Sequence, residues 1–129
     1  MPQVSEPSST DIGKALGRIP SGCAILTARA GARRTGMLAS WVQQAAFEPP
    51  AISVAIKKGR PIVDLIEASR GFVVNVIGES TGPMFKHFGK GFGPDEEAFA
   101  GLAVRDLPEG IVLDDCIAHL VARVIDRCE

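Results

Sequence analysis

The sequence has no surplus of positive charge. Its 14 lysines and arginines stand against 15 acidic residues, for a formal net charge of −1. A protein that follows a nucleic-acid backbone needs a basic face, so no nucleic-acid partner is expected, although a local cluster suffices for a single phosphate. Cysteine is scarce and scattered. Cys23, Cys116 and Cys128 form no Cys-x-x-Cys pair, and His87 lies far from all three. Such spacing supplies neither a metal site nor a disulfide framework, and the three are read as reduced, mostly buried thiols. No apolar run is long enough to cross a bilayer, and Met1–Thr10 lacks the apolar segment of a secretion signal. The expectation from these absences is a cytoplasmic protein with no membrane partner. No Gly-x-Ser-x-Gly elbow is present. The stretch GKGFGP (89–94) neither follows a strand nor carries the Lys-Ser/Thr pair of a phosphate loop, and it is read as part of a flexible loop over 89–101. His87 and His119 lack matched carboxylates and read as structural or surface histidines, and Asp114-Asp115 as a turn.

What is present fits one domain with its own core: 129 residues, 46% of them hydrophobic and 22% charged. Residues 1–9 read as a disordered tail and 10–129 as the domain. Ser9 or Thr10 can cap a short helix in which Ile12, Leu16 and Ile19 recur at helical spacing until Pro20. Cys23–Arg29 reads as a strand, and Pro49-Pro50 break the segment after it. Ile52, Val54 and Ile56 alternate with Ala51, Ser53 and Ala55, the period of a strand. Pro61 opens a helix with Ile62, Leu65 and Ile66 on its apolar stripe. FVVNVI (72–77) follows as a strand, then a helix over 80–89 with Met84, Phe85 and Phe88 on its buried side. The segment 116–126 alternates as a half-exposed antiparallel strand. Its edge calls for a partner subunit or for further chain. Strands without regularly interleaved long helices point to a closed or partly closed antiparallel barrel with attached helices.

Two segments carry the chemistry. In TGMLASW (35–41), a glycine, small residues, Ser40 and the sole tryptophan stand together. Small side chains let a backbone approach an aromatic ring, whose polar edge can then be read by N–H and C=O groups. Taken on residue pattern alone, the segment is equally a core strand kinked at Gly36. Lys57-Lys58-Gly59-Arg60-Pro61 places three cations at a helix start, where free N–H groups and the helix dipole favour an anion. A solvated basic turn is the alternative.

TGMLASWVQQAAFEPPAISVAIKKGRPIVDLI followed by RGFVVNVIGE resembles the flavin reductase-like, FMN-binding split-barrel family, nearest to the modules associated with flavodiiron-type proteins. The resemblance runs from about Ile12 to about Arg127. It implies a mainly β, Greek-key split β-barrel with short peripheral helices, a homodimer, and a domain whose C-terminal part is missing. It implies that Met37, Leu38, Ala39, Ser40 and Trp41 border the flavin, that Lys57, Lys58 and Arg60 hold the phosphate of FMN, and that Asn75 supports the site from beneath. Charge replaces the family's hydroxyls around Lys57 and Gly59. The activity implied is an NAD(P)H:flavin oxidoreductase, with hydride passing from NADH or NADPH to FMN and electrons going on to an acceptor protein. No side-chain acid or base is needed for that step, so no catalytic residue is named. The alternative is a non-catalytic FMN-binding electron-carrier or assembly module.

Overall fold

The computed structural model describes Glu6 and residues 8–129. Of the tail expected over 1–9, residues 1–5 and 7 lie outside the described residues. Helix α1 spans Ser9–Leu16 and is capped one residue earlier than expected: Ser8 Oγ accepts from Asp11 N at 3.1 Å. Its Ile12 and Leu16 remain exposed, so the helical spacing of its apolar residues marks a face turned outward.

Strand β1 (Gly22–Ala30) is the spine of the molecule. It pairs antiparallel with β2 (Arg33–Ala46) on one side and β4 (Gly71–Val76) on the other. The five-stranded sheet runs β3-β2-β1-β4-β7, with β3 at Ala51–Val54 and β7 at Ala118–Arg123. Strands one to three form a meander and the fourth returns beside the first, which is the Greek-key order. The sheet curls into half of a split barrel. The remaining elements are α2 (Pro61–Ser69), a short 3₁₀ turn, α3 (Gly82–Gly89), and the hairpin β5 (Val104–Asp106) and β6 (Ile111–Leu113).

Both faces of β1 are covered, which is why Ala24–Ala28 are all buried, with Thr27 the one polar residue among them. On one face Ala24, Leu26 and Ala28 pack with Ala39 and Val74 beneath Ile62 and Leu65 of α2, and Ile52 and Val54 of β3 join them with Ile56 just beyond it. On the other, Ile25 packs with Met84 and Phe88 of α3, Phe99, Ile111 and Leu113. Phe85, expected on the buried side of α3, is exposed because only Met84 and Phe88 face the sheet.

The β5–β6 hairpin is fastened by side chains. Thr27 Oγ1 donates to Ile111 O (2.7 Å) and accepts from Ile111 N (2.9 Å). Asn75 Nδ2 donates to Ile111 O (3.0 Å), and its Oδ1 accepts from Leu113 N (2.9 Å). Both residues are fully buried. Buried polar groups must be paired, and here the pairing holds one layer onto the next. Strand β7 departs from expectation. Within it only Ala122 is partly covered, so both faces are largely exposed.

Candidate functional site

Strand β2 is long enough to outrun its neighbour. Residues 33–39 pair with β1, but β3 joins the opposite edge only from Val42 onward, where Val42 faces Val54. Among the described residues no strand lies along the outer edge of Thr35–Ser40. Every second N–H and C=O there is free for a ligand.

This edge is bent. Ala24 faces Ala39 but Gly22 faces Val42, so β2 holds one residue more than β1 across Ser40-Trp41. A bulge of this kind re-aims side chains at the rim of a sheet. It crowds β1: a Cβ on Gly22 would lie 2.5 Å from Val42 O, so glycine alone fits. Met37 and Ala39 pack toward α2 and Leu38 toward α3. Of the five expected flavin neighbours, those three therefore offer mainly backbone. Ser40 and Trp41 project outward, and Trp41 is 61% exposed.

The bulge adjoins the basic turn through the backbone, since Ala55 N donates to Trp41 O at 3.0 Å. The chain then turns at Gly59, whose φ of +88° suits glycine, and Arg60 caps α2 with Pro61 at the first helical position. Only part of the expected three-cation clasp converges. Lys57 is exposed. Lys58 points away, its ammonium 3.9 Å from Glu129 Oε2. Arg60 alone lines a small cleft against β2, together with Thr35, Gly36 and Met37 on one wall and Gly91 and Phe92 on the other. Lys58 and Arg60 thus face different surroundings because two residues and a left-handed glycine separate them.

Asn75 bonds to Ile25, Ile111 and Leu113, so it supports the hairpin and not the β2 edge. His87 Nε2 donates to Ala98 O at 2.7 Å and its ring packs edge-on against Phe88, a structural role. Asp114 holds Arg105 at 3.1 Å. Burial pushes the Cys23 thiol up, and burial with the neighbouring Asp115 does the same to Cys116, so neither is poised as a thiolate. Cys23 and Cys116 are half-buried and Cys128 is exposed, against the expectation of mostly buried thiols. Among the described residues no cluster of ligands suits a metal, and no helix is long and apolar enough to cross a membrane. Thr35, Gly91 and Phe92 were not legible as site residues. The glycine-rich loop reads as unstructured, yet Gly91 is the left-handed residue (φ +78°) just past α3.

The site is thus an antiparallel half-barrel with a bulged strand edge that, among the described residues, lacks a strand neighbour, beside a helix start that carries Arg60. The chain belongs to the flavin reductase like domain family, which it matches over residues 16–129. It is 40% identical over 122 residues to diflavin flavoprotein A 1 of Synechocystis sp., covering 93% of this chain and 21% of that protein. The chain thus spans about a fifth of the length of the curated relative. Among solved structures, the NADH:FAD oxidoreductase SgcE6 of Streptomyces globisporus superposes with a TM-score of 0.82 at 18% identity, over 100% of this chain and 78% of that one. Flavoredoxin of Methanosarcina acetivorans gives 0.78 at 18%, over 100% and 67%. At such identities the likeness shows the shared fold.

Proposed function

We propose that this domain is an NAD(P)H-dependent flavin reductase that holds FMN along the outer edge of β2 and passes electrons onward to an acceptor. The observation that carries the reading is the free edge of Thr35–Ser40, flanked by the Ser40-Trp41 bulge and by Arg60. The residues fit the group. Alternate backbone N–H and C=O groups of 36–40 match the donor and acceptor edge of an isoalloxazine ring, and the side chains of Met37, Leu38 and Ala39 turn into the two cores, away from that edge. Ser40 and Trp41 border the ring from the bulge. Arg60 holds the phosphate at the start of α2, and Lys57 and Lys58 add only to the positive field around it.

When bound, the flavin supplies the hydride acceptor. The protein's own part is binding and polarity. Backbone N–H groups aimed at the ring's polar edge stabilise negative charge that grows there on reduction. A nicotinamide would need only a stacking surface on the flavin, so no dedicated nucleotide fingerprint is required of the chain. The kinship with a diflavin flavoprotein about five times longer supports delivery of electrons to a partner domain or protein. The exposed Ile12 and Leu16 of α1 and Trp41 support a homodimer that covers them.

The test is NADH and NADPH consumption by the purified protein with FMN or FAD added. Oxidation that depends on flavin and saturates with it is the expected result. Tight flavin binding without nicotinamide oxidation favours a non-catalytic electron-carrier module. No affinity for any flavin overturns the assignment.

A further inference from the structure

The cleft beside Arg60 contains a group that the flavin reading leaves unused. Thr35 is 4% exposed, yet its hydroxyl makes no hydrogen bond within the described protein. Among the described residues no fully buried side-chain oxygen is left unpartnered, so the Thr35 hydroxyl keeps some access to solvent, and Thr35 lines the cleft. As a β-branched residue in a strand, Val would serve the backbone equally well. Only a ligand or a water gives the oxygen a use.

The opposite wall is the Gly91 turn. Gly91 N donates to Phe88 O at 3.3 Å, which ties the turn to the end of α3. A Cβ on Gly91 would stand 3.9 Å from Arg60 Nη1, so the turn rests against the guanidinium and limits its swing. Among the described residues Arg60 has no carboxylate partner. The cleft has room for about one water-sized group, enough for a phosphate oxygen and too little for a ring.

We infer that Thr35 and Arg60 form an oxyanion socket for one phosphate oxygen of the flavin nucleotide, with Gly91-Phe92 as the wall that positions Arg60. The inference rests on the flavin reading of the same edge. Thr35 donates its hydroxyl proton to the phosphate oxygen, and Arg60 donates from the helix side. Thr35 is thereby a residue that selects phosphorylated flavin over riboflavin.

The experiment compares T35V and T35S with the unaltered protein, titrating FMN, riboflavin and inorganic phosphate. T35V is expected to weaken FMN about tenfold while riboflavin stays within about twofold, and T35S to retain the unaltered ratio. Equal losses for both flavins, or no loss for either, overturn the socket while the flavin reading stands. In the second case the hydroxyl holds only a water. If the unaltered protein binds neither flavin, the flavin reading falls, and inorganic phosphate decides the socket: binding weakened by T35V keeps it, and no binding ends it. Should T35V fail to fold, Thr35→Cys, similar in size and a poorer donor, is read by the same ratio.

Discussion

The two sides of the β1–β2 pair treat polar groups in opposite ways. Toward β6, Thr27 and Asn75 are fully buried and their side-chain oxygens and nitrogen all find partners within the protein. Along the outer edge of β2, backbone groups, the Thr35 hydroxyl and Arg60 are left without internal partners. Both arrangements obey one rule, that a desolvated polar group needs a partner. Where the partner is the protein itself, the result is architecture. Where none is supplied, the groups stay open to water or, on the reading proposed above, to a ligand.

The comparison can be broken most severely at Asn75. Asn75→Leu leaves Leu113 N without its partner, while Ile111 O keeps the Thr27 hydroxyl; a buried unpaired group costs about 1–3 kcal/mol, so unfolding free energy is expected to drop by about 2 kcal/mol. A urea titration reads this, and the affinity of the folded fraction for FMN should stay unchanged. A loss of binding at intact stability would move Asn75 to the site. Next in size is Arg60→Ala. A charge-assisted contact is worth about 1.5–3 kcal/mol, so FMN should weaken at least about tenfold more than riboflavin. Lys58→Ala should change FMN affinity by less than about threefold, since its exposed ammonium points toward Glu129. Equal effects of the two substitutions would erase the distinction drawn between them. The smallest effect is expected at Arg70, which caps α2 in the left-handed region at φ +61°. Arg70→Gly relieves that strain and should raise stability by about 0.5 kcal/mol with no change in flavin binding.

Much of the scaffold was legible because local chemistry coincides with global position. The alternation Ile52, Val54, Ile56 marks the face that joins the core, and Pro61 opens α2 because its missing N–H costs nothing there. The site was legible only as a neighbourhood. Met37–Trp41 lie along one strand and Arg60 lines a cleft with Met37, but the pattern carries no sign of which backbone groups lack a strand neighbour, because that depends on where β3 begins. The parting of Lys58 from Arg60 depends on the turn at Gly59 and on the reach of residues 124–129 past α2, both tertiary facts. Asn75 reads as a polar interruption in FVVNVI, and its role follows only from β6 being laid across it. Strand β7 misleads because alternation describes a strand well without saying what covers it.

The extra residue at Ser40-Trp41 has a consequence for how the gene can vary. Met37 and Ala39 point to the α2 side, and so does Val42, three positions after Ala39. Side chains in a strand alternate, so a residue three positions on would face away; the bulge takes up the spare residue and keeps Val42 on the side of Ala39. A single-codon deletion there would leave Val42 two positions after Ala39, on the same side and in the same register with β3, and would remove only the bulge. Loss of one residue at this point is therefore expected to spare the fold and to change the direction in which the rim at Ser40-Trp41 projects.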